Sequence, residues 1–283
     1  MQTYIDCYPC VLRQAIEASR MAGADQFQQR EVILGTLHLL GQLPQDATPP
    51  AIVAEVHRIV RKITHVDDPY KQVKQAATRQ ALRMLSGLQS LLNDAENQLE
   101  TAVRLSIAGN IIDFGPNPDY DLWEVVHRVL SQDFLINDFG LLKARMTSTE
   151  SVLFLGDNAG ETVFDRLLIE RIPATVTYVV RGGPILNDAT YDDAVAAGID
   201  RVAEVIDNGA RIPGTILSEC SPSFQARFNS AELILAKGMG NYESLSTTSR
   251  PVFFLMQVKC PVIGADVGAY KGSIIVKLSN SVI

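Results

Sequence analysis

The 283-residue chain has no excess of positive charge: 25 Lys and Arg stand against 32 Asp and Glu, a formal net charge of -7. That balance removes the electrostatic reason to expect nucleic acid or an anionic membrane surface as a partner, although it says nothing about a single basic pocket. No apolar run approaches the roughly 18 residues of a membrane-spanning helix. The opening "MQTYIDCYPC" has neither the basic nor the apolar segment of a secretory signal, so a cytoplasmic protein is expected. Cysteine is scarce, at four residues, and in that compartment the four read as thiols or metal ligands rather than disulfides. HExxH, GxSxG and GxxxxGKS/T are all absent, which leaves zinc proteases, serine hydrolases and P-loop nucleotide enzymes without support. There is no internal repeat and no low-complexity tract.

What is present is a chain that is 47% hydrophobic, long enough to bury a substantial core in one large domain or two ordinary ones. Its pattern changes near residue 150. Before that point apolar residues recur at helical spacing, as in "CVLRQAIEASRMAG", "PPAIVAEVHRIVRKI" and "LETAVRLSIAGNII", with breakers such as "PQDATPP" and "GPNPD" between them. The first half therefore reads as all-helical. After it, "SVLFL", "ATVTYVV", "RVAEVI", "AELILA" and "PVFFLMQV" alternate with helical stretches, the signature of βαβ units. The expectation is an α/β protein with a helical domain over residues 1–148, roofing a cleft. Residues 149–283 would then form a Rossmann-like, mainly parallel sheet domain.

The ends of those strands carry the information. "SVLFL" runs into Asp157 and Asn158, with Glu161 beyond them. "TVTYVV" runs into Arg181, then Asn187 and Asp188. "VAEVI" ends in Asp207 and Asn208, and "AELILA" in Lys237, Gly238, Gly240 and Asn241. Ligands of open parallel sheets bind outside the carboxyl ends of the strands. Each group alone would pass for an ordinary turn, since Asp, Asn and Gly are turn residues. Four on one edge point to a site.

Asp and Asn oxygens suit a hard cation such as Mg²⁺ or Mn²⁺. Lys237 and Arg181 add fixed positive charge for a phosphate or carboxylate. Carboxylates, a cation and glycine turns are the equipment of phosphoryl transfer. Asp157 and Asn158 also suit helix capping, and the two roles are compatible. Glu161 is either a water- or substrate-positioning group or a favourable acid at a helix N-terminus. Asn110 and Asp113, at i and i+3, either reach into the cleft or close a helix.

The segments "AGNIIDFG", "GDNAGE", "RGGPILNDAT" and "KGMGNYESL", in that order behind an N-terminal "CYPC", resemble the metal-dependent damage-control phosphatases, in the archaeal and bacterial branch that carries a CxxC. The resemblance spans essentially the whole chain. It implies one divalent metal, Mn²⁺, Co²⁺, Ni²⁺ or Mg²⁺, held by Asp157, Asn158 and Asp188, with Lys237 beside Gly238, Gly240 and Asn241 in the late glycine motif, and it favours Asn110 and Asp113 as site residues. Together with the residue chemistry above, this makes Asp157, Lys237 and Glu161 the catalytic candidates and Asn110, Asp113, Arg181, Gly238, Gly240 and Asn241 the candidate substrate contacts. The implied activity is hydrolysis of phosphorylated metabolites, either sugar phosphates or damaged side products. A eukaryotic relative described as a protein carboxyl methyltransferase leaves an S-adenosylmethionine-dependent alternative, with Asp207 at the ribose. A non-catalytic metabolite- or metal-binding module is the third reading.

Cys7 and Cys10 form one CxxC, short of the four ligands zinc usually takes, unless Cys260 and a further group join them. They read either as a second metal site or as structural thiols. The four histidines, His38, His57, His65 and His127, show no ligand spacing and read as surface or satisfied core residues.

Overall fold

The computed structural model describes residues 1, 3–44, 46–111 and 122–279. Six helices come first: α1 (Cys7–Met21), α2 (Gln26–Leu40), α3 (Pro49–Thr64), α4 (Lys71–Asn93), α5 (Gln98–Ile111) and α6 (Leu122–Ser131). Their limits follow local chemistry. Asp25 and Gln28 form a reciprocal capping box at the start of α2, and two prolines occupy the first positions of α3, where no amide donor is needed. The α3 helix closes at His65, in the left-handed region at φ 59°.

The α/β part follows as β1 (Phe134–Asn137), α7 (Phe139–Ser148), β2 (Ser151–Leu155), α8 (Thr162–Ile169), β3 (Thr175–Val180), α9 (Tyr191–Ala197), β4 (Glu204–Asp207), α10 (Pro222–Ser230), β5 (Leu233–Lys237), α11 (Gly238–Leu245), β6 (Val252–Gln257), α12 (Pro261–Val267) and β7 (Ile274–Leu278). The seven strands form one sheet in the order β1-β7-β6-β5-β2-β3-β4. From β6 to β4 every neighbour is parallel; β7 runs antiparallel to β6, and β1 parallel to β7. Central strands covered on both faces read as continuous apolar runs, and β2, β5 and β6 do so.

The expectation of an all-helical first half is corrected by β1. "FLIN" is too short to show a period of two, and its hydrogen-bonding partner β7 lies at the far end of the chain. The sheet thus takes a strand from before residue 149. One face packs under α4–α9 and the other under α10–α12, while α1, α2 and α3 share a separate core of Val11, Ala15, Val32, Ile52, Val56 and Val60. No helix among the described residues is long and apolar enough to cross a membrane.

His57 lies buried in that cap, its ring 5.9 Å from Tyr70. Burial, reinforced by Arg61, pushes its pKa down to about 4. Between pH 4 and 6.5 the unfolded chain therefore binds a proton that the folded chain refuses. Stability is complete above the ordinary value of 6.5 and falls as pH drops from there through about 4, by about 3 kcal/mol at most. Thermal unfolding of His57→Leu should show a flatter acid limb than the parent. An equally steep limb would assign the acid sensitivity elsewhere.

Candidate active site at the strand ends

The loop leaving β2 and the loop leaving β3 are stitched to each other. Ala159 N–H donates to the Asn187 carbonyl at 2.9 Å and Ala189 N–H to the Asp157 carbonyl at 2.7 Å, and Asn158 and Asp188 form an antiparallel bridge. This backbone pairing brings Asp157, Asn158 and Asp188 together. Asp157 Oδ2 accepts from Asn110 Nδ2 at 2.9 Å and from Asn158 Nδ2 at 3.1 Å. Its Oδ1 lies 3.6 Å from Arg181 Nη2, while Arg181 Nε donates to Asp188 Oδ2 at 2.7 Å.

Negative charge outweighs positive charge here. Burial raises the Asp157 pKa, Asp188 and Glu161 raise it further, and Arg181 and Lys259 oppose them without prevailing, so that it reaches about 8. Burial also raises Asp188 despite its bond to Arg181. A carboxylate that stays charged only with difficulty fits a place for a cation. The Asn158 amide directs its NH₂ to Asp157 and to Glu161, at 3.0 Å, which leaves its oxygen as a donor atom. Two carboxylates and an amide oxygen fit a hard divalent ion.

Beneath this layer is a second, fully buried one. Lys237, at the end of β5, donates to Glu161 Oε1, to Asp165 Oδ1 at 2.8 Å and to the Ser106 carbonyl at 2.8 Å. Burial works against its charge, but Asp165 and Glu161 outweigh that and raise its pKa. Asp165 also accepts from Ser106 Oγ at 2.6 Å and Tyr178 Oη at 2.8 Å, and burial pushes it up to about 6 against the pull of Lys237. Glu161 Oε2 accepts from Asn110 Nδ2 at 2.8 Å and from the Asn158 backbone and amide. Lys237, expected to face phosphate, and Glu161, read either as a water-positioning group or as an acid at a helix N-terminus, are both wholly inaccessible with their polar atoms committed inside the protein; Glu161 is the N-cap residue of α8. They hold Asn110 and Asn158 in place from below.

Asn241 is likewise buried. Its Nδ2 donates to the carbonyls of Gly156, at 3.1 Å, and Lys237, at 2.8 Å, and its Oδ1 accepts from Thr215. It ties the ends of β2 and β5 together rather than facing the cleft. Gly238 has φ +74°, and a Cβ there would stand 1.9 Å from Asp157 Oδ2. Gly238→Ala should therefore cost about 2 kcal/mol or more and displace the Asp157 carboxylate. Urea denaturation measures the first and phosphatase assay the second; a variant with parental stability and turnover would contradict this packing.

A cavity of about 360 Å³ opens over Asp157, Asn158 and Asp188, roofed by Cys7, Cys10 and Val11 of α1 and by Pro49, Pro50 and Val53 of α3. Gly240, Glu243, Lys259 and Cys260 line it from the sheet side. Lys259 was not among the expected residues. It is exposed, and its Nζ donates to the Asn110 carbonyl at 2.6 Å. The signal is in "VFFLMQVKC": β6, like the other four parallel strands, runs into a charged residue on the same edge. Arg181 lines a neighbouring cavity of about 530 Å³ with Gly182, Gly183 and Asp207, and reaches the two carboxylates from that side. Among the described residues its Nη1 and Nη2 have no hydrogen-bond partner. The Asp207 carboxylate closes a turn onto Gly209 N–H at 2.8 Å. Asp113 lies outside the described residues. The thiols of Cys7, Cys10 and Cys260 are free, and among the described residues no three His, Cys, Asp or Glu side chains are set to hold a metal. The expected alternative of a second metal on these cysteines therefore has no preformed ligand set.

Carboxylate and amide oxygens, a guanidinium and glycine turns at the carboxyl ends of a parallel sheet suit an enzyme that handles phosphoryl groups. Residues 3–275 match the family model of the damage-control phosphatase ARMT1-like domain, and the chain belongs to that family. It is accordingly a hydrolase, a phosphatase dependent on a divalent metal. It is 33% identical to the damage-control phosphatase PH1575 of Pyrococcus horikoshii, over 97% of each chain. It is 32% identical to a damage-control phosphatase of Archaeoglobus fulgidus, over 96% of this chain and 97% of the other. The crystal structure of the DUF89 family protein PH1575 superimposes with a TM-score of 0.91 at 32% identity, covering 99% of this chain and 100% of that one.

Proposed function

We propose that the chain hydrolyses phosphate monoesters of small metabolites, either sugar phosphates or damaged side products, with Asp157, Asn158 and Asp188 holding Mn²⁺, Mg²⁺, Co²⁺ or Ni²⁺. The observation that carries this reading is the convergence of those three side chains at a point short of positive charge, where Asp157 is pushed up to about 8. When bound, the cation neutralises phosphoryl charge and polarises the group under attack.

The chain's own residues do the rest. Lys259, on the cavity wall, offers an ammonium to the phosphoryl oxygens. Arg181 fixes Asp188 and faces Asp157, so both carboxylates keep their direction as charge develops. Asn110 and Asn158, fixed by Glu161, prevent Asp157 from turning away. Both Asp157 oxygens have neighbours of their own, which favours water over Asp157 as the attacking group. The roof of α1 and α3 covers the phosphate and chooses the organic part of the substrate.

The test is hydrolysis of an aryl phosphate by metal-stripped protein, alone and after addition of each of the four ions. Turnover that appears only with metal supports the reading. Equal turnover in the stripped protein, or none with any ion, sinks it.

A further inference from the structure

Three of the four cysteines line the cavity over the candidate metal site. Cys7 and Cys10 stand at i and i+3 in the first turn of α1, on one face of the helix. Helix geometry alone sets their Cα atoms about 5 Å apart, inside the range a disulfide spans. Cys260 lines the same cavity from the sheet side, at the N-cap of α12, where its sulfur accepts Ile263 N–H at 3.4 Å. Cys10 is exposed and the other two are partly so, whereas Cys220 is buried in the core beneath α10. Burial pushes the Cys7 and Cys10 thiols up, and Glu243 and Cys260 push them the same way. None of the three is in a disulfide, and Cys260 alone has a capping contact.

The consequence of joining them lies one residue away. Lys259 precedes Cys260, and its Nζ holds the Asn110 carbonyl, while the Asn110 amide holds Asp157 and Glu161. A covalent link from Cys260 to α1 would act on the residue next to Lys259, and so on the bond that Lys259 makes to Asn110.

We propose that Cys7, Cys10 and Cys260 form an oxidation site, in which a disulfide from Cys260 to the α1 pair ties the cap to the sheet and shuts the cleft. The oxidant is a low-molecular-weight disulfide. The exposed Cys10 thiolate attacks one of its sulfurs and expels the other as a thiolate, leaving a mixed disulfide. Cys260 thiolate then attacks the Cys10 sulfur, expelling the second small thiolate and forming the protein disulfide. The two protons given up by the cysteines end on the two released thiols, so one disulfide is reduced as one is formed. A reductant reverses both steps.

This inference uses the phosphatase reading only for its activity readout. Purified protein is incubated with oxidised glutathione, mapped by non-reducing peptide mass spectrometry, and assayed on an aryl phosphate with Mn²⁺ before and after dithiothreitol. Acetylation of Lys259 by an amine reagent is followed in the same samples as a readout independent of turnover. The expected result is a bridge from Cys260 to Cys7 or Cys10, turnover reduced about tenfold or more and restored by reductant, and a changed rate of Lys259 acetylation. Cys260→Ser should lose the response to oxidant whatever its basal rate, and Cys220→Ser should keep it. An unbridged Cys260, or a bridged protein with unchanged turnover and Lys259 reactivity, overturns the proposal. If the reduced protein hydrolyses no phosphate ester, the phosphatase reading has failed instead. The bridge and the change in the rate of Lys259 acetylation then decide the thiol proposal by themselves: both together sustain it, and either one missing ends it.

Discussion

Replacing Asp157 with alanine is expected to lower metal-dependent phosphate hydrolysis by about a thousandfold or more, roughly 4 kcal/mol of lost transition-state stabilisation. Asp157 is the residue on which the site's interactions converge: two amides, one guanidinium and two further carboxylates meet around it. The same substitution should leave the metal-free protein folded and more stable at neutral pH. A folded-state pKa of about 8 against the ordinary 3.8 means the folded chain binds a proton that the unfolded chain releases. Metal-free protein therefore loses stability as pH rises from about 4 toward 8, and the variant should not. Added Mn²⁺ should raise the melting temperature of the parent and leave that of the variant unmoved, since only a ligand that binds the folded state stabilises it. A variant with parental turnover, or one destabilised at pH 7.5 without metal, would contradict this account of the site.

Lys237→Met is expected to cost about 3–5 kcal/mol of stability, the range seen when one partner of a buried charge pair is removed. Methionine replaces the volume but leaves Glu161 and Asp165 buried without their shared cation. The cost should shrink in acid as Asp165, which burial already pushes up to about 6, takes up a proton. Activity should fall as well, because Glu161 orients Asn158 and Asn110 only while Lys237 holds it. Urea denaturation at pH 7.5 and pH 5 separates these effects. A loss below about 1 kcal/mol at the higher pH would mean that water or a neighbouring group replaces the ammonium.

The five parallel strands could be read directly, because apolar runs such as "SVLFL" and "AELILA" end abruptly in Asp, Asn or Lys. The strands β1 and β7 could not: "FLIN" carries no period, and its pairing with Ile274–Leu278 is a contact across the whole chain. Residue type also revealed that Asp157, Asn158 and Asp188 form a polar set, but not that loop pairing brings them together. Depth was the hardest quantity to read. Lys237, Glu161 and Asn241 stand at strand ends like surface residues, yet α5 and α8 pack over the first two, and Asn241, on α11, is buried against Thr215 and the ends of β2 and β5. Burial converts a side chain that would face substrate into one that fixes its neighbours. Lys259 went the other way: it follows an apolar run that looks wholly internal and emerges on the cavity wall.

The most direct test of the central claim is the anomalous scattering of a crystal grown with Mn²⁺. The account predicts a single strong peak bounded by Asp157, Asn158 and Asp188. A peak among the cysteines instead, or none at the ends of β2 and β3 in a protein that turns over with Mn²⁺, would contradict it.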